Sequence, residues 1–556
     1  MTRFDDPAMT RRRFQAGVAG LAGASLAGCV EALGLGEDTV SFENITETIG
    51  FDYHGQEGGI GFGNSGLYVC DYDNDQLPEI LAIGGAQPVL FDNEDGRFVA
   101  TDILDGRFSD TTVQAAVFFD HNRNGWEDLL VFEKHGPAHF FENIEGEFEP
   151  RQLGFETDFI VPTSVAVADA SGNGYLDVFV AQMNDWAHGV PRGWAKEELE
   201  EPLEDDNGAP NLLFWNDNGT FSLDETSGIS GDRWSLATSF VDLTGDGRQD
   251  IHVANDFNRD VIYLNRGDRT FEQVLLGEET DRNGMSSLIT DVTGNGRPDI
   301  FVTNIYFPLD DLDEEELYDR VRRHFEFVLQ SPRIEGNNLI VNDGDGAFSY
   351  QADTLGLAAG GWGWAAVAID FDHDGQEEIF HATQNIIEVY DPPVYTYPMY
   401  FKRAGERYER QDARELGFAA GNDRAVVALD LGMTGAMDLA IGSYNAPFRV
   451  YHNHAAAGGG QSIQLDLRDQ RGSIAIGSTV RVQTDEREQY RFLTSGSDYQ
   501  SQSTRILHVG LGDVDTIDIL EISWPNGATS THQELEADQR LVISPDGIEE
   551  RVPYSS

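Results

Sequence analysis

A short acidic phrase, D-x-[DN]-x-[DN]-G-x-x-[DE] with variants, recurs seven times, beginning at Asp71, Asp120, Asp169, Asp242, Asp291, Asp370 and Asp430. Alternate residues of a tight loop can aim side-chain oxygens at one point, and a hard cation such as Ca²⁺ takes roughly six to eight oxygens. Positions 1, 3, 5 and 9 carry them. They are Asp71, Asp73, Asp75 and Glu79 in the first loop, Asp120, Asn122, Asn124 and Asp128 in the second, and Asp169, Ser171, Asn173 and Asp177 in the third. The fourth has Asp242, Thr244, Asp246 and Asp250, the fifth Asp291, Thr293, Asn295 and Asp299, and the sixth Asp370, Asp372, Asp374 and Glu378. Position 7 would add a backbone carbonyl. Glycine at position 6 (Gly125, Gly174, Gly247, Gly296, Gly375) permits the positive φ of such a turn. The first loop has Gln76 there, and the seventh (Asp430, Gly432, Thr434, Asp438) lacks two ligands and is expected to be empty. The series predicts about five or six structural Ca²⁺ sites.

An EF-hand opens with similar letters but needs Glu at position 12 and flanking helices. Position 12 is Val131, Val180, Val253 and Val302, inside apolar runs. Scattered surface Asp in an acidic chain would show neither the fixed phase, nor the fixed glycine, nor the apolar flanks.

Each loop joins two apolar runs that read as strands, as in SFVDLTGDGRQDIHVAND. A third strand ending in Asn, a Gly-containing turn and a fourth strand follow, as in VIYLNRGDRTFEQV and NLLFWNDNGTFSLD. Three of the intervals between loops are 49 residues. Four strands at that period make one propeller blade, so residues 41–454 are expected to form an all-β, seven-bladed propeller. The seventh repeat has no fourth strand of its own, and residues 41–48, which resemble the outer strands TFSLDET and AFSYQAD, are expected to supply it and so remove two exposed edges. Insertions at 185–210 and 306–335 separate the second and third strands of repeats three and five. The second insertion carries Leu317, Val321, Phe325 and Val328 at helical spacing. A small linker, 455–460, leads to alternating runs over 461–548 that predict a small β-sandwich-like domain.

The bulk composition narrows the partners. Lys+Arg 37 against Asp+Glu 97 gives a net charge of −60, which excludes nucleic acid and repels anionic lipid. Self-repulsion on this scale is nearly screened in about 1 M salt, so the chain resembles salt-adapted proteins of haloarchaea. Cys29 and Cys70 are the two cysteines, too few for a disulfide framework. At the N-terminus, Thr10-Arg11-Arg12-Arg13-Phe14 matches a twin-arginine export signal, followed by an apolar run too short to span a bilayer. Leu26-Ala27-Gly28-Cys29 resembles a lipobox, which implies removal of residues 1–28, lipidation of Cys29, a tether over 29–40, and a protein anchored by lipid at the outer face of the membrane.

The loops and strands resemble the FG-GAP/VCBS repeats of the integrin α-chain head. The segment GSIAIGSTVRVQTDEREQYRFLTSGSDYQSQSTRILHVGLGDVDTIDILEISWPNG resembles the ASPIC/UnbV domain that follows such repeats in proteins related to cartilage acidic protein 1. The resemblance covers about residues 41–548 and implies a calcium-stabilised propeller with an extracellular binding role. It implies no established reaction.

Other motifs read as local structure. Arg266-Gly267-Asp268 occupies the turn filled by NDNGT and NDGDG in other repeats, and Gly61-x-Gly63-x-x-Gly66 precedes a strand, not the helix of a dinucleotide site. Asn218-Gly219-Thr220 is a glycosylation sequon in a turn; Asn44-Ile45-Thr46 is read as structural. Amides recur where second strands end, at Asn184, Asn255, Asn304, Asn385 and Asn445, near Trp234, Trp362 and Trp364. They would suit a polar ligand, glycan or protein, on the face opposite the metal loops; turn hydrogen bonding explains the amides equally simply. Binding or adhesion through this face is the leading functional expectation. The alternative is a polysaccharide lyase or hydrolase, for which His188, Arg192, Tyr306 and Arg424 are scattered candidates with no spacing that forces them together.

Overall fold

The apolar runs beside each acidic loop pair antiparallel in a register common to all seven repeats: position 9 lies opposite the residue before position 1. The pairs are Cys70 with Glu79, Phe119 with Asp128, Ala168 with Asp177, Val241 with Asp250, Thr290 with Asp299, Ile369 with Glu378, and Leu429 with Asp438. The computed structural model describes residues 40–55, 64–85, 87–104, 106–108, 113–184, 208–276, 283–305, 336–344, 346–384, 396–457, 460–496 and 498–555. The export signal, Cys29, the tether up to residue 39, Gly61 and Gly63, nearly all of the first insertion, the whole of the second with the helical spacing of Leu317, Val321, Phe325 and Val328, and His188, Arg192, Tyr306 and Asn385 lie outside the described residues. Among the described residues no helix is long and apolar enough to cross a membrane.

From Val40 onward the chain is one compact unit and nearly all β. Among the described residues, seven antiparallel sheets each contain four strands, in meander order in six of them, and two are extended by a short added strand. The inner strands are Leu67–Cys70, Val113–Phe119, Val161–Ala168, Asp232–Val241, Leu288–Thr290, Gly363–Ile369 and Asp423–Leu429. Each packs on the next and the last packs on the first, which closes a propeller ring. Position in the ring explains the patterning. Inner strands such as VQAAVFF are buried at every residue because neighbouring sheets cover both faces, while outer strands such as Thr220–Leu223 bury only alternate side chains. Phe42–Asn44 supplies the fourth strand of the seventh sheet by pairing with Arg449–Asn453.

The Asn that ends each third strand has a role that its recurrence alone did not reveal. Its side-chain amide donates to the position-2 carbonyl of the preceding repeat's loop: Asn143 to Tyr72, Asn216 to His121, Asn265 to Ala170, Asn342 to Leu243, Asn453 to Phe371 and Asn93 to Leu431. The sixth repeat lacks this Asn, and Arg403 reaches Val292 O instead. Seven such bonds staple the ring together around its circumference. Asn216 also donates to Leu176 O at 3.1 Å and accepts from Gly219 N at 2.8 Å. Asn216→Ala strands buried carbonyls and is expected to cost roughly 1–3 kcal/mol, read as a lower midpoint in thermal melts.

The C-terminal domain is a sandwich of two four-stranded sheets. Gln461–Leu467 pairs with Leu507–Gly512 and, in parallel, with Gln539–Ser544, while Thr479–Gln483 lies between Glu488–Phe492 and Thr516–Ser523. Leu465, Val480, Leu520, Ile522 and Leu541 fill the space between the sheets. The last strand runs through Gly547–Pro553, beyond the expected end at 548, and Ser555 N still bonds Met433 O at 2.8 Å in the seventh loop. The linker begins as a short 3-10 turn, His454–Ala457.

This domain does not stand apart from the ring. Its segment Ser495–Thr504 enters the ring's axis and satisfies inner-strand backbone groups. Leu67 N donates to Gln500 O, Phe118 N to Gln502 Oε1, Val167 N to Ser495 O, Ser287 N and Ala366 N to Asp498, and Ala428 N to Ser503 Oγ. Ser501–Gln502 adds a parallel strand to the first sheet. The sequence TSGSDYQSQST reads as a polar loop and is instead a buried plug.

Candidate metal centre

All but the first of the loops wind around their first Asp. In the second loop, Asp120 accepts from the backbone N–H groups of Asn122, Arg123, Asn124 and Gly125, and Asp169, Asp242 and Asp291 are wrapped in the same way. Position 6 has positive φ throughout, from 79° at Gly296 to 88° at Gly174, and Gln76 adopts 75° despite its side chain. Position 4 is left-handed too, at Asn74, Arg123, Gly172, Gly245, Gly294 and His373. Met433 of the seventh loop does the same, and the three glycines at this position were a signal available in the sequence, whereas Arg123, His373 and Met433 were not.

Position 9 divides the loops into two kinds. Where it is Asp, both oxygens already accept backbone N–H groups: Asp128 from His121 and Asn143, Asp177 from Ser171 and Asn216, Asp250 from Leu243 and Asn265, and Asp299 from Thr293 and Asn342. These carboxylates lock the loop to the third strand. In the first and sixth loops position 9 is the longer Glu. Glu79 and Glu378 spend one oxygen on Tyr72 N and Phe371 N, and the other oxygen is buried without a hydrogen bond. Asp71 Oδ1, Asp370 Oδ1 and Asp372 Oδ1 are likewise buried and unpartnered. Carboxylate oxygens of Asp71, Asp73 and Glu79 lie within 4.8 Å of one another, as do those of Asp370, Asp372 and Asp374. Position-3 oxygens are also unpartnered in the second, third and fourth loops, at Asn122 Oδ1, Ser171 Oγ and Thr244 Oγ1. Burying a carboxylate oxygen with no partner is costly, so this donor set fits a hard divalent cation.

The electrostatics agree. Burial pushes Asp71 up to about 7, with Arg468 opposing, and pushes Glu79 up to about 10, helped by the charge of Asp71. Asp370 and Glu378 are raised well above the carboxylate range, first by burial and then by neighbouring carboxylates. Lys402 pairs with the outer oxygen of Asp372 and leaves Oδ1 facing inward.

The C-terminal domain covers part of this loop face with arginines. Arg505 pairs with Glu127, Arg491 Nε lies 3.1 Å from Glu377, and Arg540 donates to Gln76 O at 2.7 Å. Ser473 Oγ donates to Asp120 Oδ2 at 2.6 Å and Gln464 Nε2 to Asp430 Oδ2 at 2.8 Å. The seventh loop, expected to be empty, is thus closed by a side-chain amide.

The amide and tryptophan set does not form an open face. Asn255 and Asn304 are fully buried: Asn255 donates to Arg259 O and accepts from Ser235 Oγ, and Asn304 accepts from Asn283 N. Turn and strand-end hydrogen bonding accounts for both. Trp234 and Trp364 are 0% exposed, Trp234 packed on Phe257 and Trp364 on Tyr499 of the plug, with the Arg424 guanidinium 4.5 Å above its ring. Trp362 is partly buried, as is Asn184, and Asn445 is exposed in a turn. For Asn255, Asn304, Trp234 and Trp364 the structure corrects the expectation of an open face, because strand ends in a ring are covered by adjacent sheets. Arg424, a candidate for catalysis, is buried and holds Asn422. Arg266 of the Arg-Gly-Asp turn is paired with Glu272.

The FG-GAP-like repeat family matches three stretches of the chain, residues 71–131, 242–302 and 325–381. The ASPIC and UnbV family matches residues 469–550. The sequence thus carries FG-GAP-like repeat matches in the propeller portion and an ASPIC and UnbV match in the C-terminal domain. Among solved structures, an Agrocybe aegerita lectin described as recognising non-reducing terminal N-acetylglucosamine is 14% identical, covering 70% of this chain and 94% of its own, with a TM-score of 0.39. YCF48 from Cyanidioschyzon merolae is 10% identical over 74% of this chain and 98% of its own, with a TM-score of 0.36. The WD40 domain of Toxoplasma gondii coronin is 10% identical over 75% of this chain and 86% of its own, also with a TM-score of 0.36. No curated protein matches the sequence.

Proposed function

We propose that this protein is an exported, lipid-anchored, salt-adapted propeller that uses Ca²⁺ structurally and binds a surface glycan or protein outside the cell. The observation that carries the metal reading is the set of buried, unpartnered carboxylate oxygens in the first and sixth loops. Asp71, Asp73 and Glu79, and Asp370, Asp372, Asp374 and Glu378, would hold the ions; each ion supplies charge neutralisation and fixes the turn. The twin-arginine and lipobox motifs support export and anchoring, and the acid excess supports the salt adaptation. The plug fills the ring's axis, and the C-terminal domain covers much of the loop face. The binding surface is therefore sought on the outer edges of the sheets and on the face opposite the loops.

Calorimetry on metal-stripped protein in molar KCl should show uptake of at least the two ions those clusters accommodate and a higher melting temperature with Ca²⁺. No uptake and an unchanged melt would remove the metal from this reading. A glycan array and binding to envelope fractions test the ligand role separately.

A further inference from the structure

The sixth loop differs from the third and fourth in what covers it. Gly172, Gly245 and Gly247 have open space around them. The sixth loop is closed from above by four residues of the C-terminal domain and its linker, Gly460, Arg487, Gly510 and Gly512. Gly512 N donates to His373 O at 2.7 Å, Arg487 Nη1 donates to Asp374 O at 2.6 Å, and His373 Nδ1 lies 3.1 Å from Gly460 O. Gly510 lies so close to Asp370 that a Cβ there would overlap Asp370 Oδ2. Asp370 and Glu378 are 0% exposed, and their inward oxygens make no hydrogen bond.

We propose that the C-terminal domain is a lid on the sixth loop, sealing a divalent-cation site that exchanges with solvent only when the domain lifts. The inference rests on the calcium reading above. An ion under the lid leaves only when the Gly512 and Arg487 bonds give way, whereas an ion in the first loop, where Asp73 is half-buried and Asp75 exposed, lies beside solvent. Lid opening belongs to local unfolding, which is far slower than escape from an open loop. The same contacts run the other way: an ion that fixes the loop carbonyls of His373 and Asp374 also fixes the acceptors on which the lid rests.

The test is calcium release from the loaded full-length chain into excess fluorescent chelator. Two phases are expected, the slow one at least about tenfold slower than the fast. Asp370→Asn should remove the slow phase and spare the fast one, and Arg487→Ala, which leaves every carboxylate in place, should accelerate it. Gly510→Ala provides a second lid variant, which pushes the lid outward by steric contact, and should do the same. A single phase from a loaded protein overturns the lid, as does a slow phase that survives Asp370→Asn or ignores both lid variants. Failure to load any calcium would instead overturn the metal reading on which the lid rests.

Discussion

Gln502→Ala is expected to destabilise the whole ring by roughly 2–5 kcal/mol, although it alters one polar residue in an irregular segment. Its side chain accepts from Phe118 N at 2.9 Å and donates to Phe118 O at 3.0 Å and Ser495 Oγ at 2.9 Å. Alanine leaves an inner-strand N–H and C=O buried without the side chain that satisfies both. Gln500→Ala should act similarly, since Gln500 accepts from Ser65 N at 3.0 Å and donates to Gln114 O at 2.8 Å. Thermal melts would report the loss, and limited proteolysis at the 455–460 linker would speed up as the plug loosens. Gln351→Ala, at a half-buried amide outside the plug, is the control and should change little. Equal melting temperatures for Gln502→Ala and the parent would mean that the plug does not support the ring.

The second large effect concerns pH. Burial raises Asp177 and Asp250 to about 7 and Asp299 to about 6, against backbone N–H groups that pull the other way. The unfolded chain ionises these groups near pH 4. Between that pH and about 7 the folded, metal-free protein holds more protons than the unfolded one, so its stability falls as pH rises. The stabilisation is present at the acid end of the window and is lost on passing through the folded values. Calcium reverses the trend, because it binds the ionised loops and its affinity rises as they deprotonate. Melts from pH 5 to 8 in molar KCl, where charge repulsion across the surface is screened, should show the metal-free midpoint dropping and the gap to the calcium-loaded protein widening. A metal-free midpoint that climbs over this range would contradict the raised values.

Much of the architecture was legible because it is written seven times. The period, the register of strands around each loop and the strand that closes the ring all follow from local patterns that repeat. The division of loops by Asp or Glu at position 9 was also present in the letters. Its meaning needed the backbone: Asp128 reaches two N–H groups at once, while Glu79 overshoots one of them. The plug was not legible, since Gln500 and Gln502 look like solvated loop residues until seven inner strands leave backbone groups facing a common axis. The amides and tryptophans misled for the converse reason. Asn255 and Trp234 look like exposed recognition residues only when adjacent sheets are left out. Neither of the last two strands of the C-terminal domain gives clean alternation: Gln539–Ser544 is a short apolar run with one charge, Arg540, and Gly547–Pro553 sets Glu549, Glu550 and Arg551 side by side.

The closing strand sets an order of assembly. The bonds between Thr46 and Val450 span 404 residues, so the first strand made is among the last to be paired. Until the seventh repeat has been synthesised, Phe42–Asn44 is an unpaired strand waiting ahead of six sheets that are already complete in themselves. The plug, contributed by residues beyond 494, arrives later still. Contacts of such separation fold slowly and leave strand edges available for wrong pairings in the meantime. The nascent chain therefore depends on protection from self-association throughout its synthesis, and a truncation that removes only the first few residues of the ring would leave its final sheet permanently open to a neighbour.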